Sequence, residues 1–183
     1  LDDVLKFMKK DHDLAQAYQA IDRLHEAGLI YDAHIMTGVA GKGRGMENAE
    51  ALAQFLNRTN PAHVVNFSMF LHKEVPLYQD IRQGTFVPAD ELETIREEYH
   101  LIERIAPEKA GANILYDGFH DFIHVRVRGH LPGDKEKMLA KLNGIIQEYE
   151  GKEPVYSFVQ GECPDLEYCD DGKAVWDMDR KTS

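Results

Sequence analysis

A glycine-rich segment between two apolar runs is the feature that most constrains the fold. Residues 29–37 are typical of a buried strand, whereas residues 38–45 (GVAGKGRG) can continue neither a strand nor a helix. Apolar residues at helical spacing over 49–56 predict a helix, and residues 64–71 predict a second strand. A strand, a helix and a strand at this spacing form a βαβ unit, whose two strands run parallel. We therefore predict an α/β fold with a parallel sheet.

The rest of the chain adds helices on both sides of this unit and a different kind of strand near the end. Helical periodicity ending at a glycine or proline signal predicts helices over 14–27, 76–83, 92–102 and 138–149, with Asp90 as the cap of the third. Residues 114–115 and 123–128 predict short strands, the second antiparallel or at an edge because apolar and basic residues alternate along it. Residues 155–159 predict one more strand, and the acidic segment 165–179 is expected to pack loosely.

Charge and hydropathy exclude several classes of partner. Lysine and arginine total 21 against 32 aspartates and glutamates, a net charge of −11 that disfavours nucleic acid binding. No run reaches the roughly 20 apolar residues of a membrane helix, and the start lacks a signal-peptide pattern, so we expect no membrane association and a cytoplasmic protein. Because the first residue is Leu1 rather than methionine, we also expect the chain to be a fragment of a longer protein.

Neither the cysteines nor the histidines predict a metal site. Cys163 and Cys169 form a lone C-x5-C pair, which fits neither a zinc site nor the C-x3-C-x2-C loop of an iron–sulfur enzyme, so we expect two ordinary thiols. If His120, His124 and His130 lay on one strand, neighbours would be roughly 13 and 20 Å apart, too far to share an ion. We therefore interpret them as surface or edge histidines.

The glycine-rich loop does not match a known nucleotide motif. A P-loop needs a lysine and then a serine or threonine where this chain has Arg44 and Gly45, and the dinucleotide fingerprint fails at Met46. Two interpretations stay open. In one, the loop brings backbone close to an anionic ligand, helped by Lys42 and Arg44; in the other, it is a plain connection between a strand and a helix.

Polar residues within the predicted strands are the remaining candidates for a site. Asp32 and His34 share one face of the first strand, which would be either the interior of a barrel or a solvated surface. Asn66 and Ser68 lie inside the second strand, where polar side chains need partners. We assign His34, Asn66 and Ser68 to the substrate side of the sheet and expect Asn66 and Ser68 to face a barrel lumen.

The order of segments resembles the radical S-adenosylmethionine superfamily, in its Fe-S oxidoreductase branch, over residues 1 to about 135. The segments that carry the resemblance are 2–10 (DDVLKFMKK), 24–28 (LHEAG), 33–41 (AHIMTGVAG), 60–61 (NP) leading into 64–71, 76–78 (PLY), 84–86 (GTF), the helix from Asp90, and 125–134 (VRVRGHLPGD). The segment 41–45 departs from the pattern, because relatives often have a proline and an acidic residue there.

The resemblance implies both a fold and a set of cofactors. Residues 1–106 would be the C-terminal half of a partial (β/α)6 TIM-like barrel, and residues 107–183 a small α+β extension with a loosely ordered acidic tail. S-adenosylmethionine and a [4Fe-4S] cluster would be the cofactors of the parent protein, with the cluster ligands in a missing N-terminal half. The adenosine pocket would be lined, by packing and hydrogen bonding rather than catalysis, by Thr37, Gly38, Val39 and Leu71.

The parent protein would cleave S-adenosylmethionine reductively to a 5′-deoxyadenosyl radical that acts on an unknown substrate, and the fragment alone would be inactive. Its partner would be the missing half of the same polypeptide, and its exposed sheet favours a homo-oligomer. A rival interpretation is a stand-alone α/β ligand-binding or interaction domain with an anion-binding glycine-rich loop. A hydrolase is disfavoured because the chain has no Gly-x-Ser-x-Gly segment.

Overall fold

The computed structural model of the protein describes residues 1–158, 167–168 and 174–175. The helices are α1 (Asp2–Phe7), α2 (Leu14–Glu26), α3 (Gly45–Thr59), α4 (Pro76–Arg82), α5 (Glu91–Arg104) and α6 (Lys135–Tyr149). The strands are β1 (Asp32–Thr37), β2 (His63–Ser68), β3 (Ile114–His120) and β4 (Val125–Leu131), with a short pair, β5 (Glu167–Tyr168) and β6 (Ala174–Val175). None of the described helices combines the length and apolar character that crossing a bilayer requires.

The four longer strands form one open mixed sheet in the order β1, β2, β3, β4. The first three run parallel, and β4 is antiparallel to β3. The predicted βαβ unit is confirmed, since β1 and β2 pair in register from Asp32 beside His63 to Thr37 beside Ser68. The α/β class and the antiparallel edge strand are confirmed as well. The predicted partial barrel is not confirmed, because the four strands form an open sheet.

Both predicted strands of the βαβ unit are shorter than their apolar runs. Strand β1 begins at Asp32 rather than residue 29, because Leu29 and Ile30 are exposed and lie outside the sheet. Strand β2 ends at Ser68, and Leu71 instead forms a single parallel bridge with Phe158. An apolar run therefore predicted the strands correctly but not their ends.

Helices α3, α5 and α6 pack on one face of the sheet and enclose the main core. Its fully buried side chains come from α3, α5, α6 and strands β2, β3 and β4, with Leu56, Ile95, Leu101, Ile102, Tyr116, Val127, Leu131 and Leu142 among them. The capped start of α5 fits the sequence prediction, since the Asp90 carboxylate accepts the N–H of Glu93 at 2.8 Å.

Within the described part of the chain, the opposite face of the sheet is largely uncovered. Side chains that point to it, such as His34, Val65 and Phe67, are half-buried or exposed. Asn66 and Ser68 point the other way, into the helix layer, where both are buried. The prediction that these two residues face a lumen together with His34 is therefore wrong, because alternation along the strand places them on the side that α5 covers.

Near the C-terminus the chain folds back in a hairpin from β3 to β4. Ile123 lies in a short 3-10 turn between the strands rather than in the predicted strand. His120 ends β3 and is fully buried, so the prediction that it is a surface or edge histidine is wrong. Cys163, Cys169 and most of the acidic segment 165–179 lie outside the described residues.

Candidate functional site

The carboxyl ends of β1, β2 and β3 meet at one edge of the sheet. Strand β1 leads there into the glycine-rich loop 38–45, and β2 and β3 end at Ser68 and His120. Open α/β sheets bind their ligands at this edge, because loops and helix N-termini converge there. We therefore build the candidate site from this edge.

A buried ionic cluster lies directly beneath the edge. His120 Nδ1 is 3.0 Å from Glu91 Oε2, and its Nε2 is 3.0 Å from Glu98 Oε2. All three side chains are at most 1% exposed. An imidazole that meets a carboxylate at each nitrogen donates from both, so His120 is an imidazolium.

The two glutamates connect this imidazolium to the strands around it. Glu98 Oε1 accepts the hydroxyl of Tyr116 at 2.9 Å and the amide of Asn66 at 3.1 Å. Glu91 Oε1 accepts the hydroxyl of Ser68 at 3.1 Å and that of Ser157. Asn66 and Ser68 thus serve the buried cluster, which explains polar side chains inside a parallel strand.

The charges of the cluster follow from burial and pairing. Burial alone would lower the pKa of His120, but the negative charge of Glu98 and hydrogen bonds to both glutamates raise it to about 10. Burial by itself raises the pKa of Glu91, yet the bond and the charge of His120 leave that pKa below its ordinary value. Burial and the nearby Glu98 charge raise the pKa of Tyr116, so its phenol stays protonated as a donor.

A third glutamate on α5 holds the glycine-rich loop. Glu97 Oε2 accepts the N–H of Gly38 at 2.9 Å, and its Oε1 accepts the side-chain amide of Asn48 at 2.6 Å. Glu97 is 1% exposed, and this burial raises its pKa to about 7 despite the two hydrogen bonds. One turn earlier, Glu93 accepts the N–H of Gly43. Two carboxylates from one helix therefore occupy loop amides that a ligand would otherwise use.

Only glycine fits at the first position of this loop. Gly38 has φ +82°, and a Cβ built on it would lie 2.8 Å from the Thr94 methyl group. The close approach lets α5 reach the loop backbone. The loop is therefore a rigid connection that the helix beneath it holds in place.

A cleft of 480 Å³ opens on the outer side of the loop. It lies between α1, the loop and residues 85–87, and Val39 and Lys42 are among its lining residues. Arg44 also lines it but pairs with Asp3 and Glu47, each at 2.8 Å. Its guanidinium charge is thus largely neutralised within the chain.

The residues predicted to line an adenosine pocket all lie at this edge, but only one opens into the cleft. Val39 lines it, whereas the Thr37 carbonyl accepts the N–H of Met69 and Gly38 is held by Glu97. Leu71 is 2% exposed, and its N–H donates to the carbonyl of Ser157 at 2.6 Å. His34 lies elsewhere, exposed on the uncovered face of the sheet.

A larger cavity, of 590 Å³, lies at the opposite edge, where β1, β2 and β3 begin. Its lining includes Asn60 and Arg58, but Arg58 already contacts Asp22 at 3.4 Å and the Tyr18 ring at 4.0 Å. This edge has no buried ionic cluster among the described residues that line the cavity. We therefore keep the carboxyl edge as the candidate site.

Sequence reasoning missed Glu91, Glu97 and Glu98, and it interpreted His120 as a surface or edge histidine. It assigned the buried face of α5 to apolar residues that include Leu92 and Tyr99, which are only half-buried, while the glutamates are fully covered. The sequence did contain a pattern that could have revealed two of these glutamates. Glu91 and Glu98 lie seven residues apart and alternate at helical spacing with Ile95 and Ile102, so they lie on the same buried face of the helix. Buried carboxylates at such positions require a cation, and a histidine at the end of the next strand supplies it.

No protein family, curated protein or solved structure matches the chain. Within the described residues, no group of three histidine, cysteine, aspartate or glutamate side chains has the geometry to hold a metal ion. The site is therefore interpreted from its own contacts.

The first prediction concerns the glycine that lets Glu98 approach the sheet. A Cβ on Gly118 would collide with Oε1 of Glu98, so Gly118→Ala should displace that carboxylate from His120 and lower the free energy of unfolding by about 3 kcal/mol or more. Gly144→Ala is the matched control: Gly144 lies within α6 with open space around it, and alanine there should stabilise by about 0.5–1 kcal/mol. Urea unfolding measures both, and equal effects would contradict the close approach.

The second prediction concerns pH. Because folding raises the pKa of Glu97 from 4.5 to about 7 and that of His120 from 6.5 to about 10, the folded state binds protons more tightly than the unfolded state. The free energy of unfolding should therefore fall as pH rises, first between 4.5 and about 7 through Glu97 and then between 6.5 and about 10 through His120.

The two contributions can be separated by substitution. Glu97→Gln should flatten the lower part of the curve and leave the upper part, whereas Glu50→Gln, at an exposed position of α3, should leave the whole curve unchanged. The measurement is urea unfolding across the pH range. A curve that rises with pH over these windows would contradict the assigned protonation states.

Proposed function

We propose that this chain is the C-terminal part of the catalytic barrel of a radical S-adenosylmethionine Fe-S oxidoreductase. The observation that carries the proposal is the one-sided sheet. Three parallel strands follow one another in chain order with their helices on a single face, which is how the wall of a (β/α) barrel is built. In such a wall the uncovered face would be the lumen side.

The free edge of β1 supports the same proposal. Strand β1 ends the sheet, and no described strand pairs with its outer side. In a partial (β/α)6 barrel the preceding strands would continue from this edge, and they belong to the N-terminal half that the proposal requires as partner. The uncovered face and the unpaired edge would then be completed by the same missing segment.

The fit of the residues to the cofactor is partial. When bound, S-adenosylmethionine supplies the 5′-deoxyadenosyl group for hydrogen abstraction, and a [4Fe-4S] cluster held by the N-terminal half supplies the electron. In this chain Val39, which lines the cleft, would contact the nucleoside, and Gly38 would fix the backbone that carries it. Leu71 could contribute only if residues 155–158 moved away, since they cover it.

The rival proposal, a stand-alone α/β ligand-binding or interaction domain with an anion-binding glycine-rich loop, receives less support from the contacts of that loop. Glu97 and Glu93 accept the N–H groups of Gly38 and Gly43, and Arg44 is paired with two acidic side chains. A loop whose donors already hold the carboxylates of its own chain is a poor site for a further anion.

The third prediction tests the proposed function. The polypeptide extended by the residues encoded upstream of Leu1 should contain C-x3-C-x2-C and, after anaerobic reconstitution with iron and sulfide, should form 5′-deoxyadenosine from S-adenosylmethionine when dithionite is added. Mass spectrometry of the nucleoside products measures this. The present chain, treated identically, is the matched control and should form none.

Two results would overturn the proposal. One is an upstream sequence without the three cysteines. The other is an extended polypeptide that carries a [4Fe-4S] cluster but forms no 5′-deoxyadenosine. Either result would mean that the one-sided sheet is not part of the barrel of a radical S-adenosylmethionine enzyme.

A further inference from the structure

The uncovered face of the sheet carries an ordered array of side chains that the proposed function does not use. The pairing register arranges them in three rows across the strands. Beginning at the carboxyl edge, the rows are Met36, Phe67, Phe119 and Arg126; His34, Val65, Asp117 and Arg128; and Asp32, His63, Leu115 and His130.

The row at the carboxyl edge is a ladder of stacked planar groups. The rings of Phe67 and Phe119 stack with centroids 5.4 Å apart and planes 17° apart, and the Arg126 guanidinium lies 4.8 Å from the Phe119 centroid. Neighbouring strands are about 4.8 Å apart, so rings stacked across them stand upright on the sheet with their edges toward solvent. Ring edges carry the positive part of the aromatic quadrupole. The ladder therefore presents a flat, weakly positive surface.

In the middle row, Asp117 holds Arg126 in place but leaves Arg128 able to bind a ligand. Asp117 binds Arg126 through two hydrogen bonds, of 2.8 and 2.6 Å, which hold the guanidinium against Phe119. Arg128 approaches the same carboxylate only to 3.7 Å, and 56% of its side chain is exposed. One buried carboxylate thus faces two guanidinium groups, which leaves a local excess of positive charge on a protein whose net charge is −11.

We propose that this face binds a small planar aromatic anion, which would be the substrate class of the parent enzyme. The inference rests on the proposed function, because it takes the uncovered face as the lumen wall of the barrel. The electron-rich face of the ligand would lie on the ring edges of Phe67 and Phe119. Arg128 would bind its carboxylate or phosphate group with charge-assisted hydrogen bonds.

The location and the charges support this occupant over others. The aromatic row lies at the carboxyl ends of the parallel strands, where α/β sheets bind small molecules. A second copy of the chain would bring a further net charge of −11, so association through this face is opposed by overall electrostatic repulsion. Nucleic acid would be repelled by the remaining acidic surface.

The test is a titration of the ¹⁵N-labelled chain, which needs neither cluster nor S-adenosylmethionine. The probe is 2-naphthoate; 2-naphthamide is the control without charge, and cyclohexanecarboxylate is the control without a π face. We expect saturable shifts of the amide signals of the first two rows with 2-naphthoate, and binding at least about tenfold weaker with either control, because each lacks one of the two interactions.

Two substitutions locate the site. Arg128→Gln should weaken 2-naphthoate binding about tenfold, whereas Arg96→Gln, which removes an exposed arginine from the helix side, should leave it unchanged. Phe119→Leu should weaken 2-naphthoate binding but leave the preference for 2-naphthoate over 2-naphthamide unchanged. Because Arg128 lies at the surface, its substitution leaves the core intact even if the phenylalanine variant unfolds.

Absence of 2-naphthoate binding would overturn the inference, and so would three further outcomes. They are equal binding of 2-naphthoate and 2-naphthamide, binding that survives Arg128→Gln, and shifts that depend on protein concentration alone, which would identify the face as an interface between copies of the chain. Each is independent of the 5′-deoxyadenosine assay. A positive assay with no naphthoate binding would reject the substrate class alone, and the reverse would reject the radical enzyme alone.

Discussion

The ion pairs of His120 with Glu91 and Glu98 are the constraint on which the carboxyl edge of the sheet depends. Charges taken out of water are costly unless each finds a partner, and truncating one partner leaves the others unpaired. The cluster joins α5 to β2, to β3 and, through Ser157, to the segment after α6. It lines neither of the two cavities described above, and its hydrogen bonds hold α5 against the strands that end at this edge.

The glycine-rich loop shows that a local sequence pattern can predict backbone conformation without revealing which groups contact that backbone. Its glycines do allow close backbone approach, as the sequence indicates. The groups that approach, however, are Glu93 and Glu97 of the same chain. Whether the loop amides can bind a ligand depends on residues that are distant in sequence. The residues of α5 that occupy two of these amides lie about fifty residues further along the chain. The anion-binding interpretation therefore could not be tested from the loop alone.

Helices α2 to α6 and the parallel βαβ unit could be predicted from the sequence because they depend on local patterns, whereas most of β3 and its pairing with β2 were not predicted. The capped start of α5 and the parallel pairing of β1 and β2 follow from Asp90 and from the spacing of the βαβ unit. The faces of β2 could not be predicted in the same way. Hydrophobicity would bury Val65 and Phe67, but Asn66 and Ser68 are buried instead because α5 brings carboxylates to them. Burial of a polar side chain depends on its partner, which periodicity does not reveal.

Among the described strands, β1 and β4 have outer edges without a partner strand, and this has a consequence for how the protein associates. β1 and β4 each end the sheet, so strand addition between the β1 edge of one molecule and the β4 edge of the next would not close on itself and could continue as a filament. The net charge of −11 opposes this growth by mutual repulsion. Because dissolved salt screens that repulsion, raising the ionic strength weakens this barrier to strand addition.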